Sequence, residues 1–96
     1  SFISGVLTRI AEERGWSRFL PTNAPVGSRA PWAYVRGSTV VSLLRVGGVW
    51  HVEVAASDPF LVASGTVAYL LSGSSGRSFT LRGAARRAAA FIRDQG

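Results

Sequence analysis

A chain of 96 residues, 47% of them hydrophobic, is long enough for one domain with a filled core, here expected to run 1–96. Cysteine is absent, which excludes disulfides, thiolate metal sites and a cysteine nucleophile. Eleven arginines and no lysine stand against five acidic residues, and the formal net charge of +6 points to an acidic partner: nucleic acid, an anionic membrane surface or an acidic protein patch.

No apolar run approaches the roughly 18 residues of a membrane-spanning helix, and no membrane span is expected. The first residues lack the charged lead-in and apolar block of a secretory signal, and the composition is compatible with a cytoplasmic setting. A chain that starts at Ser1 and contains no Met reads as a trimmed piece with an upstream segment missing.

The first predicted element is an amphipathic helix over Phe2–Arg14. Phe2, Ile3, Val6, Leu7, Ile10 and Ala11 recur at three- and four-residue spacing, with Arg9, Glu12 and Glu13 on the other side. Gly15 is its expected stop. Trp16–Pro31 reads as a loop, because Pro21, Pro25 and Pro31 oppose regular structure. Trp16, Phe19 and Leu20 are expected to pin its start to the core.

Trp32–Ala55 reads as a three-stranded antiparallel meander. Gly47-Gly48 fits a two-residue hairpin turn that needs positive φ at both positions. That turn pairs Val46 with Val49, Arg45 with Trp50, Leu43 with Val52 and Val41 with Val54. A turn at Gly37-Ser38 pairs Tyr34 with Val41 and Trp32 with Leu43. Alternation then puts Trp32, Tyr34, Val41, Leu43, Trp50, Val52 and Val54 on a core face. Ala33, Val35, Val40, Ser42, Leu44, His51 and Glu53 fall on the outer face. Val35, Val40 and Leu44, with His51 beside them, form an apolar patch there that either Phe60–Leu71 or another chain covers. Ser42, His51 and Glu53 share that flat face without oxyanion donors, so no catalytic constellation is expected and the chain is read as non-enzymatic. One His and so few carboxylates also suggest no metal and no cofactor. Arg45 beside Trp50 suggests a cation–π pair.

Asp58-Pro59 reads as a helix start, with Asp as N-cap and Pro at the first helical position. Phe60–Leu71 fits either a short helix or a fourth strand at Thr66–Leu71. A small-residue loop, Gly73-Ser74-Ser75-Gly76-Arg77, lacks the GxxxxGK[ST] spacing of a nucleotide-binding loop. It leads into a helix predicted over Leu81–Asp94 with Thr80 or Ser78 as N-cap. Leu81, Ala85, Ala88 and Ile92 form its core stripe. At 100° per residue Arg82, Arg86 and Arg93 fall within about 40° of one another, on a line expected to face solvent.

These elements make an α+β fold: a three- or four-stranded antiparallel meander with N- and C-terminal helices packed on one face. The loop and helix together read as a phosphate-binding surface. Arg77, Ser75 and Gly76 would hold an anion at the helix entry, and Arg82, Arg86, Arg87 and Arg93 would contact phosphates, with Arg18 and Arg29 able to extend the basic surface. Sequence-tolerant nucleic-acid binding is the leading reading. The alternative is a protein-interaction module, homodimeric or docking on an acidic protein surface, that uses Val35, Val40, Leu44 and His51 or the basic helix.

The order helix, meander, Ala-rich basic helix resembles that of double-stranded-RNA-binding domains. Arg86-Arg87-Ala88-Ala89 after a Gly/Ser loop resembles the basic start of that family's second helix, which implies phosphate contact there. The turn Arg36-Gly37-Ser38-Thr39 lacks the family's His, and Ala56–Arg77 is far longer than the family's link. A three-stranded sheet followed by Phe79-Thr80-Leu81-Arg82 and a helix is also similar to AP2-type and phage-integrase arm-type DNA-binding domains. Those use the exposed sheet face, which here carries His51 and Glu53 in place of arginines. The Arg-, Ala-, Gly- and Val-rich composition is similar to that of small actinobacterial or actinophage proteins.

Overall fold

The computed structural model of the chain describes residues 2–23, 27–56, 58–66 and 76–95. Its elements follow in the order α1 (Phe2–Glu13), β1 (Ser17–Phe19), β2 (Ser28–Arg36), β3 (Thr39–Val46), β4 (Val49–Ala56), α2 (Pro59–Ala63), β5 (Gly76–Ser78) and α3 (Leu81–Asp94). The fold is α+β. The strands form one antiparallel sheet in the order β1-β2-β3-β4-β5, so the sheet has five strands where three or four were expected.

The central meander has the register that its turns require. Val46 faces Val49, Leu43 faces Val52 and Val41 faces Val54 across β3 and β4, and Tyr34 faces Val41 across β2 and β3. Gly47 and Gly48 hold φ of 57° and 79°, the left-handed pair that a tight hairpin of this hand needs.

The two added strands come from segments read as loops. β1 is three residues long, too short for an alternating pattern to show. β2 begins well before Trp32 and runs through Pro31, where the pairing with β3 is irregular between Arg29 and Trp32. A bulge is where a strand tolerates a residue with no N–H to donate. β5 begins at Gly76, so Gly76 and Arg77 belong to a strand rather than a phosphate-binding loop. Ser75 and the rest of the Gly/Ser loop lie outside the described residues, as does most of the expected strand at Thr66–Leu71. Asp58 caps α2 as expected, its Oδ1 accepting from Phe60 N at 2.9 Å.

Both terminal helices pack on the same sheet face. Leu7 and Ala11 of α1 and Ala84, Ala85, Ala88, Ala89 and Ile92 of α3 share one buried cluster with Trp32, Tyr34, Val41, Leu43 and Val52. Alanines on the buried side let α3 lie close on the strands. Tyr34 is fully buried, and its hydroxyl receives Trp32 Nε1 at 3.1 Å and bonds Thr8 Oγ1 at 2.9 Å, which ties α1 to the sheet centre. Trp50 meets Trp32 edge to face, with ring centroids 5.6 Å apart. The expected Arg45–Trp50 cation–π pair is not the one formed. Among the described residues that contact belongs to Arg36 over Trp16, at 4.9 Å.

Helix ends decide how α1 and α3 lie relative to each other. α1 closes in a Schellman motif: Gly15 N donates to Glu12 O and Trp16 N to Ala11 O, with Gly15 at φ 81°. The turn delivers Trp16 to the core, where it is 2% exposed. Arg36, at the end of β2, donates to Arg14 O at 3.0 Å and to Gln95 O at 2.9 Å. One guanidinium thus meets the carbonyl-rich C-terminal ends of both helices, so α1 and α3 run side by side in the same direction.

Replacing Arg36 by Met keeps much of its apolar stem and removes both carbonyl contacts and the cation–π contact. The expected cost is about 2 kcal/mol, a fall in Tm of about 10 °C in thermal denaturation. Arg82→Ala, at an exposed position, should leave the Tm within about 2 °C. Equal effects of the two substitutions would contradict the role given to Arg36.

Candidate functional site

The parallel packing of α1 and α3 leaves a groove of about 450 Å³ between them. Phe2, Ile3, Val6, Leu7 and Ile10 of α1 form one wall, and Arg82, Ala85, Arg86, Ala89 and Arg93 of α3 form the other. The arginine line therefore does not simply face bulk solvent. It borders the apolar stripe of its own helix and overlooks that of the neighbour. Arg82, Arg86 and Arg93 are exposed, none is ion-paired among the described residues, and no acidic side chain lines the groove. From Arg82 to Arg93 the line extends for about 16 Å at 1.5 Å per residue.

Of the seven residues expected to form one phosphate site, Ser75 lies outside the described residues and the other six do not converge. Arg87 lies about 100° or more around the helix from the other three. Its stem runs against β5, where a Cβ on Gly76 would stand 2.7 Å from Arg87 Cδ, so Gly76 serves close packing of strand and helix. Arg77 is paired in register with His51, which puts it on the outer sheet face, away from both helices.

The entry of α3 is occupied by its own side chains. Gly83 N donates to Thr80 Oγ1 at 3.0 Å, Ala84 N to Thr80 O at 3.1 Å and Thr80 N to Ser78 Oγ at 3.2 Å. Thr80 is therefore the N-cap and Ser78 supports it. A side chain at Gly83 would collide with Ser78, which explains a glycine inside the first turn. Gly83 N and Ala84 N are thus satisfied within the chain, and Ser75 of the expected cradle lies outside the described residues.

Of the two covers expected for the outer-face patch, the chain's own segment is the one observed. Val40 is 3% exposed and Leu44 fully buried, and Val35 is half-buried. Val62 of α2 packs with Phe19 and Val35 on the cluster of Ala33 and Val40. The chain thus covers with its own segments the apolar residues that suggested a dimer interface. Ser42 and Glu53, opposite each other in register, are also buried.

His51 is half-buried on this face, with Nδ1 buried and without a hydrogen-bond partner among the described residues. Burial, and secondly the Arg77 guanidinium across the strand pair, hold its pKa below the ordinary 6.5. A second, smaller cavity of about 250 Å³ sits at the β3–β4 hairpin end, lined by Gly27, Arg45, Gly47 and Gly48. No group of three or more potential metal ligands, and no helix long and apolar enough to cross a membrane, occurs among the described residues.

Sequence reasoning missed Phe2, which counted as a core residue of the α1 stripe yet is 83% exposed at the groove. Its position in the first turn was the available signal, since a helix end extends past the element it packs on. Comparison of the chain with protein-family models, curated proteins and solved structures finds no match in any of the three.

His51 is the chain's one histidine, so its imidazole titration can be followed by proton NMR without assignment. The midpoint should lie below 6.5 and rise toward it in Arg77→Ala. Because the folded value is the lower one, its contribution to stability is complete above about pH 6.5 and declines as pH falls through the folded pKa. A midpoint above 6.5 would contradict the burial assigned to His51.

Proposed function

We propose that this protein binds nucleic acid without catalysing a reaction on it, through the α1–α3 groove. The observation that carries the reading is the line of Arg82, Arg86 and Arg93 along one groove wall, unpaired among the described residues and with no acid in the lining. Arginine offers a planar fork of donors that fits phosphate bidentately. Three such groups on one rigid helix follow a phosphate backbone without reading base edges, so recognition is sequence-tolerant. The net charge of +6 adds a long-range attraction. Arg77 and Arg87, on other surfaces, are not part of this contact.

Counterion release sets the quantitative expectation. Three phosphate contacts correspond to a slope of log K against log salt of about −2 for single strands and about −2.7 for duplex. Fluorescence anisotropy with labelled oligonucleotides at several salt concentrations measures it. Arg82→Glu with Arg86→Glu should weaken binding at least about 100-fold while the circular dichroism spectrum and Tm stay unchanged. Arg77→Glu should have an effect several-fold smaller. Absence of binding at about 50 mM salt would overturn the reading and leave the groove to an acidic protein segment. Indifference to the paired substitution would remove the site.

A further inference from the structure

Phosphate contact engages only one wall of the groove. The facing wall is apolar, and its exposure is concentrated at one end: Phe2 is 83% and Val6 44% exposed, Ile3 and Ile10 are half-buried and Leu7 is 2% exposed. A duplex would set phosphates and sugars against that wall, because its bases are stacked inside. Those polar groups would lose water there and gain no partner. A single strand differs in that one edge is anionic while its unstacked base faces are apolar. Such a ligand matches both walls at once.

Resting on the nucleic-acid reading above, we propose that the groove takes single-stranded nucleic acid, with phosphates along Arg82, Arg86 and Arg93 and a base stacked on the Phe2 ring. An exposed aromatic ring beside a basic track is the arrangement by which single strands are held without sequence preference, since every base has a π-face. An acidic amphipathic helix is the competing occupant for an apolar groove with a basic rim. Docking such a helix needs a row of apolar positions open over about two turns. On α1 the exposed apolar positions are Phe2 and Val6, one turn apart, while Ile3 and Ile10 are half-buried and Leu7 is closed, so the accessible apolar surface thins along the groove, which suits a base stacked at its open end better than a helix.

The test compares a fluorescein-labelled oligothymidine of about 15 nucleotides, an oligouridine of the same length and a duplex of the same length at about 50 mM salt. The single strands should bind at least about tenfold more tightly than the duplex. Phe2→Ala should weaken single-strand binding about tenfold, leave duplex binding unchanged and leave the salt slope at about −2, because no phosphate contact is lost. Phe2→Leu should behave like Phe2→Ala, and Phe2→Trp should retain binding. Phe79, 85% exposed but not lining the groove, supplies the control: Phe79→Ala should change nothing.

Duplex binding as tight as single-strand binding, still lost in the Arg82→Glu, Arg86→Glu pair, would overturn this inference and leave the phosphate reading standing. Full affinity in Phe2→Ala would overturn it as well. Failure of every oligonucleotide to bind would overturn both readings, and capture of an acidic amphipathic peptide by the groove would then identify the other occupant.

Discussion

The arrangement of this molecule depends on where Arg36 places its guanidinium. At the end of β2 it lies over Trp16 and donates to Arg14 O just past α1 and to Gln95 O just past α3. A helix C-terminus carries unsatisfied carbonyls and the negative end of the dipole, so one cation can serve two helices only if their ends meet. That condition sets α1 and α3 side by side and codirectional on the sheet. Trp16 reaches its place under Arg36 because Gly15 closes α1 with a left-handed residue. The groove follows from this packing, since two cylinders resting on one sheet face leave a furrow between them.

A basic composition therefore resolves into arginines with different tasks. Arg36 is spent on backbone carbonyls and a ring. Arg87 lends its stem to the contact of α3 with β5, and Arg77 looks across the outer face at His51. Arg82, Arg86 and Arg93 carry no ion pair among the described residues, a condition that Arg9, Arg18 and Arg45 share, and are set apart by lining one groove together. A positive charge in the first turn of a helix, as at Arg82, opposes the dipole. It brings no compensating ion pair within the described fold, which fits a charge directed at something outside the chain.

The parts of the fold that were legible in the sequence are those with strong local physics. Gly47-Gly48 and Gly37-Ser38 each fixed the facing of β3, and both gave one register, which the structure has. Thr80 and the alanine stripe located α3. β1 and β5, three residues each, carry no period to read and exist because the edges of the meander were open to them. Pro31 punctuated the sequence more strongly than it interrupts β2, where a bulge absorbs it. The candidate site was half legible. Helical geometry placed Arg82, Arg86 and Arg93 together, whereas Arg77, grouped with them by nearness in sequence, is sent by strand alternation to the opposite side of the sheet. Nothing in the sequence order showed that α1 would face those arginines, nor that Phe2 would stand open beside them, because both depend on the direction of two helices far apart in the chain.

The most direct measurement is an NMR titration of the 15N-labelled protein with oligothymidine, following amide shifts along the whole chain. The account predicts that perturbed residues cluster on the facing sides of α1 and α3, from Phe2 to Ile10 and from Arg82 to Arg93, with the hairpin at Gly47-Gly48 and the outer face at His51 and Arg77 left unchanged. Perturbation centred on that hairpin or that outer face, with the groove silent, would contradict it.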